Sequence, residues 1–171
     1  MGVDCYPMSE SLTAAIVVVS DRIVAGQRDN TVTPLLQDLL AAENITVIDA
    51  RVIEEGFDPI ATTLDELLRE QPSLIITAGG TGIGRRNMVP EATALVLATR
   101  LAGIEHQVLR KGLDSTPLAG LSRGMIGVTG RDSSATIIAN APSSTGGVKD
   151  LAAVLLPLLP NIREGLTREE R

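Results

Sequence analysis

Aromatic side chains are almost missing from this 171-residue chain: Tyr6 and Phe57 are the only two, and there is no tryptophan. The core must therefore be built from Leu, Ile, Val and Ala, and a single-stranded nucleic-acid platform of stacked rings is disfavoured. A flat heterocycle would have to rest on arginine or aliphatic side chains. Cys5 is the only cysteine, so neither a disulfide framework nor a thiolate zinc site can form within one chain. No Ser-His-Asp set is visible, and His106, the only histidine, reads as a surface or core-edge residue. Basic residues are in deficit, 15 against 21 acidic, for a net charge of −6. That balance disfavours nucleic acid or an anionic membrane as partner, while leaving room for a local basic pocket. No apolar run reaches the ~18 residues of a membrane span, and the first ten residues lack the basic start and apolar centre of a signal peptide. A cytoplasmic protein is expected.

What is present is a 44% hydrophobic share, enough for one domain with a sizeable core. Residues 1–12 read as a flexible tail, residues 13–162 as the domain, and residues 163–171 as a solvated end. Ala14–Val19, Ile45–Ile53, Leu74–Thr77, Gly124–Val128 and Ala135–Asn140 read as strands, with Val108-Leu109 as a further short one. Helices are expected after Thr31 or Thr33, from Asp58, from Pro90 to about Ala102, over Pro117–Leu121, and from Val148 to Leu159. In the Pro90 helix Ala94, Leu95, Ala98 and Leu101 would face inward, with Gly103 as its cap. Alternating strands and helices predict a three-layer α/β/α sandwich with a mostly parallel central sheet.

Parallel strands place their exits on one edge, where open α/β sheets bind ligands. Four exits carry chemistry. Ser20-Asp21 follows the first strand and Glu54-Glu55 the second. The third leads into Gly79-Gly80-Thr81-Gly82 and then Arg85-Arg86-Asn87; a late strand leads into Pro142-Ser143-Ser144-Thr145-Gly146-Gly147. Three glycines in four positions let backbone approach a ligand, and bare amides beside guanidiniums suit an anion, most naturally phosphate. A tight turn alone has no use for the paired arginines. No Lys-Ser/Thr follows the glycines, so this is not a Walker A loop, and the third glycine of a dinucleotide fingerprint is missing. Asp21, Glu54, Glu55 and Asp58 could hold Mg²⁺ on phosphates; Asp21 could equally cap a loop, and Glu54-Glu55 could be a solvated acidic turn. Arg123 could neutralise a ligand or hold the short Pro117 helix to the core. Metal with cationic clamps is the equipment of phosphoryl or nucleotidyl transfer.

Thr77-Ala78-Gly79-Gly80-Thr81-Gly82, continuing through Arg85-Arg86 to Pro90-Glu91-Ala92-Thr93, resembles the hallmark of the molybdopterin-binding family that includes the MoaB and Mog proteins. Ser20-Asp21-Arg22, Leu121-Ser122-Arg123 and Asn140–Val148 resemble its other segments, in the same order. The resemblance implies a homotrimer acting in molybdenum cofactor biosynthesis, in contact with other enzymes of that pathway. It implies molybdopterin and ATP as substrates and Mg²⁺ as cofactor. Molybdopterin's terminal phosphate would attack the α-phosphate of ATP and pyrophosphate would leave. Gly79, Gly80, Thr81, Gly82 and Arg85 would cradle the pterin phosphate, with Ser20, Asp21, Ser122, Arg123, Pro142, Ser143, Ser144, Gly146 and Gly147 completing the pocket. Arg86, Asn87, Glu54 and Glu55 would serve the transfer, the two glutamates as metal ligands. The chain departs from the family pattern at Asn87, where the family has Asp. Glu54 or Glu55 stands where it has a second Asp, and Pro142–Thr145 replaces Pro-Gly-Ser-Pro. These departures leave two expectations open, an adenylyltransferase or a non-catalytic molybdopterin carrier.

Overall fold

The most apolar stretches of the chain form the centre of one six-stranded sheet, in a computed structural model that describes residues 11–168. The strands are β1 (Thr13–Val19), β2 (Thr46–Ile53), β3 (Leu74–Ala78), β4 (Thr99–Arg100), β5 (Ile126–Val128) and β6 (Ile137–Ala141), in the order β2-β1-β3-β6-β5-β4. β2, β1, β3 and β6 are parallel; β5 runs antiparallel to β6, and β4 to β5. All five residues of both β3 and β6 are buried, as continuous apolar runs in a sheet covered on two faces require.

The helices are α1 (Asp21–Val24), α2 (Val32–Ala42), α3 (Phe57–Arg69), α4 (Val89–Val96), α5 (Ala102–Leu113), α6 (Thr145–Leu155) and α7 (Leu159–Thr167), with 3-10 turns at Pro117–Leu121 and Leu156–Leu158. Side chains alternate across each strand. Ile16, Val18, Ile76 and Ala139 meet Leu36 and Leu40 of α2 and Leu151 and Leu155 of α6 on one face. Val17, Val19, Ile75 and Ile138 meet Ile60, Leu64 and Leu67 of α3 and Val89 and Ala92 of α4 on the other. The expected three-layer sandwich with a largely parallel sheet is therefore observed.

Several local expectations are overturned. The Pro90 helix ends at Val96, and β4 and α5 occupy the following segment, so Gly103 lies inside a helix and Val108-Leu109 is helical rather than a strand. Its buried face is Val89, Pro90, Ala92 and Thr93; Ala94, Leu95 and Ala98 are exposed. Alanines satisfy the helical spacing on either face, and of the four expected residues only Leu101, beyond the helix, packs against the core. Thr31 makes no capping bond to α2; Asn30 Oδ1 accepts from the Thr33 amide at 3.1 Å instead. The end read as solvated is α7 through Thr167, whose Ile162 and Leu166 pack against the core. Most of the expected N-terminal tail, with Cys5 and Tyr6, lies outside the described residues, as do residues 169–171.

Candidate functional site

β1, β2, β3 and β6 end together, and their exits enclose a groove of about 1300 Å³. Its walls include Ser20, Glu55, Gly80, Thr81, Gly82, Asn87, Ser122, Arg123, Pro142, Ser143, Ser144, Gly146 and Gly147. Sequence spacing therefore brought most of the expected site residues to one place. Asp21, Glu54, Gly79, Arg85 and Arg86 do not line it.

Each glycine of the β3 exit has its own reason. Gly79 (φ 98°) lies so close to β1 that a Cβ would stand 2.3 Å from the Val19 carbonyl oxygen, and its amide donates to Ala141 O at 3.0 Å. At Gly80 (φ 66°) a Cβ would be 2.7 Å from Val89 Cγ2. These two glycines are required by packing and by positive φ. The amides of Gly80, Thr81 and Gly82 have no protein acceptor among the described residues and sit in the wall of the groove. Elsewhere on the same wall, Ser144 caps α6 by accepting from the Gly147 amide at 3.1 Å, and the amides of Thr145 and Gly146 in the first turn have no acceptor among the described residues; Gly146 lines the groove and Thr145 does not. A Cβ on Gly147 would collide with Pro142, whereas one on Gly146 meets nothing within 4 Å. Two sets of free amides thus border one groove, the arrangement that receives anionic oxygens.

The arginines behave differently from the sequence expectation. Arg86 forms a forked pair with Asp21, Nε to Oδ2 at 2.9 Å and a second nitrogen to Oδ1 at 3.1 Å, and also donates to Glu55 O at 2.9 Å. Asp21 Oδ1 further accepts from the Glu55 amide at 2.9 Å, while Gly56 donates to Arg86 O at 3.0 Å. The Arg86 guanidinium holds the Asp21 carboxyl below the usual carboxylate range, helped by the Glu55 amide. This pair ties three strand exits together; it points neither Asp21 nor Arg86 at the groove. Arg85 is exposed outside it. Arg123 donates to Gly82 O at 2.9 Å and Asn87 O at 2.7 Å and pairs with Glu91, whose carboxyl it holds below its usual range. Ser122 Oγ bonds Thr81 Oγ1 at 3.2 Å.

Asn87 lies inside the glycine loop, close enough to Gly82 that a Cβ there would be 2.7 Å from its Oδ1, and its Nδ2 is 3.4 Å from Glu55 Oε2. Among the described residues no three acidic, histidine or cysteine side chains converge to hold a metal. Glu54 is outside the groove, and Glu55 faces it without a salt bridge among the described residues. His106, read as peripheral, is on the groove wall contributed by α5. Arg22 and Arg28 also line it; nothing in the sequence around Arg28 marks it. Asn140 was not assigned a role, yet it is 96% buried and bonds Thr77, Thr93 and the Met125 amide, each at 3.0 Å. A lone amide side chain in a buried apolar strand is the signal that could have found it.

A family model described as "Probable molybdopterin binding domain" matches residues 15–161. The chain belongs to the MoaB/Mog family. Among MoaB/Mog structures, a protein of Corynebacterium diphtheriae assigned provisionally to molybdenum cofactor biosynthesis superposes with a TM-score of 0.86 at 47% identity, over 92% of this chain and 99% of that one. The molybdopterin adenylyltransferase of Haemophilus influenzae is 33% identical over 84% of this chain and 72% of its own length. The molybdenum cofactor biosynthesis bifunctional protein of Chlorobaculum tepidum is 34% identical over 85% of this chain and 45% of its own. The MoaB/Mog chain described here thus spans less than half the length of that relative.

Proposed function

We propose that this MoaB/Mog protein binds molybdopterin in the groove and transfers AMP from MgATP to its terminal phosphate. The observation that carries the reading is that two sets of unbonded amides border one groove, at Gly80–Gly82 and, through Gly146, at the first turn of α6. Two cradles suit two anionic groups brought together, and the volume exceeds the ~300–1,000 Å³ of a single-ligand pocket. An oxygen of the pterin phosphate attacks the α-phosphorus, the bond to the bridging oxygen of the β-phosphate breaks, and pyrophosphate departs. The protein's part is positioning and charge stabilisation. Magnesium arriving on nucleotide phosphates takes only one or two carboxylates; Glu55 is the groove carboxylate beside the glycine loop, and Glu54 is not needed there. The similarity to the Haemophilus adenylyltransferase supports the same reading.

The second reading, a molybdopterin carrier without turnover, is favoured by the neutral Asn87 and by the absence of a three-ligand acidic cluster among the described residues. Incubation with molybdopterin and MgATP labelled at the α-phosphate separates the two. Labelled adenylylated pterin is expected; tight binding without label transfer would leave the carrier. A homotrimer and docking with other molybdenum cofactor enzymes belong to the same proposal. They are supported by exposed Leu95, Leu118 and Leu121, and sedimentation of the pure protein tests the trimer.

A further inference from the structure

We infer that Arg123, with Glu91 behind it, is a positioning device that holds the carbonyls of the glycine loop and so fixes the shape in which its amides are left bare, rather than a ligand for the bound anion. The argument rests on peptide geometry. In a trans peptide the C=O and the following N–H point in opposite directions, and no cis bond occurs among the described residues. Gly80 O accepts from the Val89 amide at 3.2 Å, which points the Thr81 N–H the other way. Thr81 O accepts from the Arg123 amide at 2.8 Å, which does the same for Gly82 N–H. Gly82 O accepts from Arg123 Nε at 2.9 Å, which does it for Ile83 N–H. A second guanidinium nitrogen holds Asn87 O at 2.7 Å, where the loop closes before α4. The third faces Glu91, in the first turn of that helix.

Arg123 therefore holds three carbonyls of the segment Thr81–Asn87, Thr81 O through its main-chain amide and Gly82 O and Asn87 O through a guanidinium that also pairs with Glu91. Lysine is a poor substitute, since a point ammonium cannot bridge acceptors that a planar fork spans. The sequence leaves Arg123 either to neutralise a ligand or to hold the Pro117 helix to the core; its geometry assigns it to shaping the cradle instead.

This inference rests on the molybdopterin reading, and its test uses a sign that distinguishes the two roles. Molybdopterin affinity is measured for the wild type, Glu91→Gln, Arg123→Gln and the double variant. A direct anion ligand would bind more tightly once its competing carboxylate is removed. A positioning residue would bind less tightly. Glu91→Gln is expected to weaken binding several-fold and Arg123→Gln about 10- to 100-fold, the range for losing charged hydrogen bonds. The double variant should be no worse than Arg123→Gln, because the two act as one unit. Tighter or unchanged binding in Glu91→Gln overturns the proposal. Amide exchange is read in parallel without any ligand. In Arg123→Gln the Asn87 and Arg123 amides, bonded to Gly84 O and Thr81 O, should exchange at least about tenfold faster, while Ile75 and Ile76 are unchanged. Unaltered loop exchange also overturns it. If the wild type fails to bind molybdopterin while the exchange effect is present, the functional reading falls and the positioning role stands.

Discussion

Glycine and asparagine carry most of the information at the residue scale. Four glycines of the two exit loops read alike in sequence, yet the structure separates them: Gly79, Gly80 and Gly147 are forced by neighbouring atoms, and Gly146 is not. Gly146→Ala is therefore expected to raise stability by about 0.5–1 kcal/mol, as an Ala for Gly exchange in a helix does. The same change should weaken pterin binding, because its backbone lines the groove. Gly79→Ala should destabilise by several kcal/mol through the clash with Val19 O and strain at φ 98°. Chemical denaturation together with ligand titration checks both. Asn87→Asp sets a second carboxylate beside Glu55, within the 3.4 Å now spanned by a hydrogen bond. The expected cost is about 1 kcal/mol, a fall in melting temperature of ~2–4 °C. Magnesium nucleotide should restore it, and turnover should rise at least about tenfold if the missing charge matters to the transfer. An unchanged rate would place that charge elsewhere.

Secondary-structure elements were legible where burial dictates the pattern, and less so where a short polar contact decides. β1, β3 and β6 follow directly from unbroken apolar runs, because a sheet covered on both faces tolerates little else. The Ala94–Val108 region failed, since small residues and a two-residue strand leave no clear period. Asn140 links β6 to Thr77 on β3 and Thr93 on α4, and to the chain entering β5. Asn140→Ala leaves a buried amide and hydroxyls without partners and is expected to cost about 2–4 kcal/mol; the urea midpoint measures it. The exit loops are also joined by acid–arginine pairs. Asp21 and Glu91 have lowered folded-state pKa values, first through Arg86 and Arg123 respectively. Each contribution is therefore present at neutral pH and is lost as pH falls below the ordinary carboxylate range. The protection factors of the Asn87 and Arg123 amides, bonded to Gly84 O and Thr81 O, should fall at acid pH before those of the sheet. Equal onset in loop and sheet would contradict that.

For the whole molecule, sequence reading reached the layer order and the convergence of the four exits, because parallel strands oblige their C-terminal ends to share an edge. It did not reach the division of labour among cations. Arg86 and Arg123 stand beside glycines in the chain, yet both face protein oxygens. Only three-dimensional contacts between segments far apart in sequence could show this. The groove therefore offers an anion bare backbone amides together with Arg22, Arg28 and Lys149, rather than the arginines beside the glycines. Its walls also extend to α5 and the Pro117–Leu121 turn, where exposed leucines continue the apolar side. No described helix is long and apolar enough to cross a membrane.

The most direct measurement is an amide-resolved titration of the protein with molybdopterin, following nitrogen–proton resonances. Gly80, Thr81, Gly82, Thr145 and Gly146 should shift together and saturate with a single affinity, as amides donating to anionic oxygens must. Saturable binding that leaves these five unmoved, or no binding at all, would contradict the account.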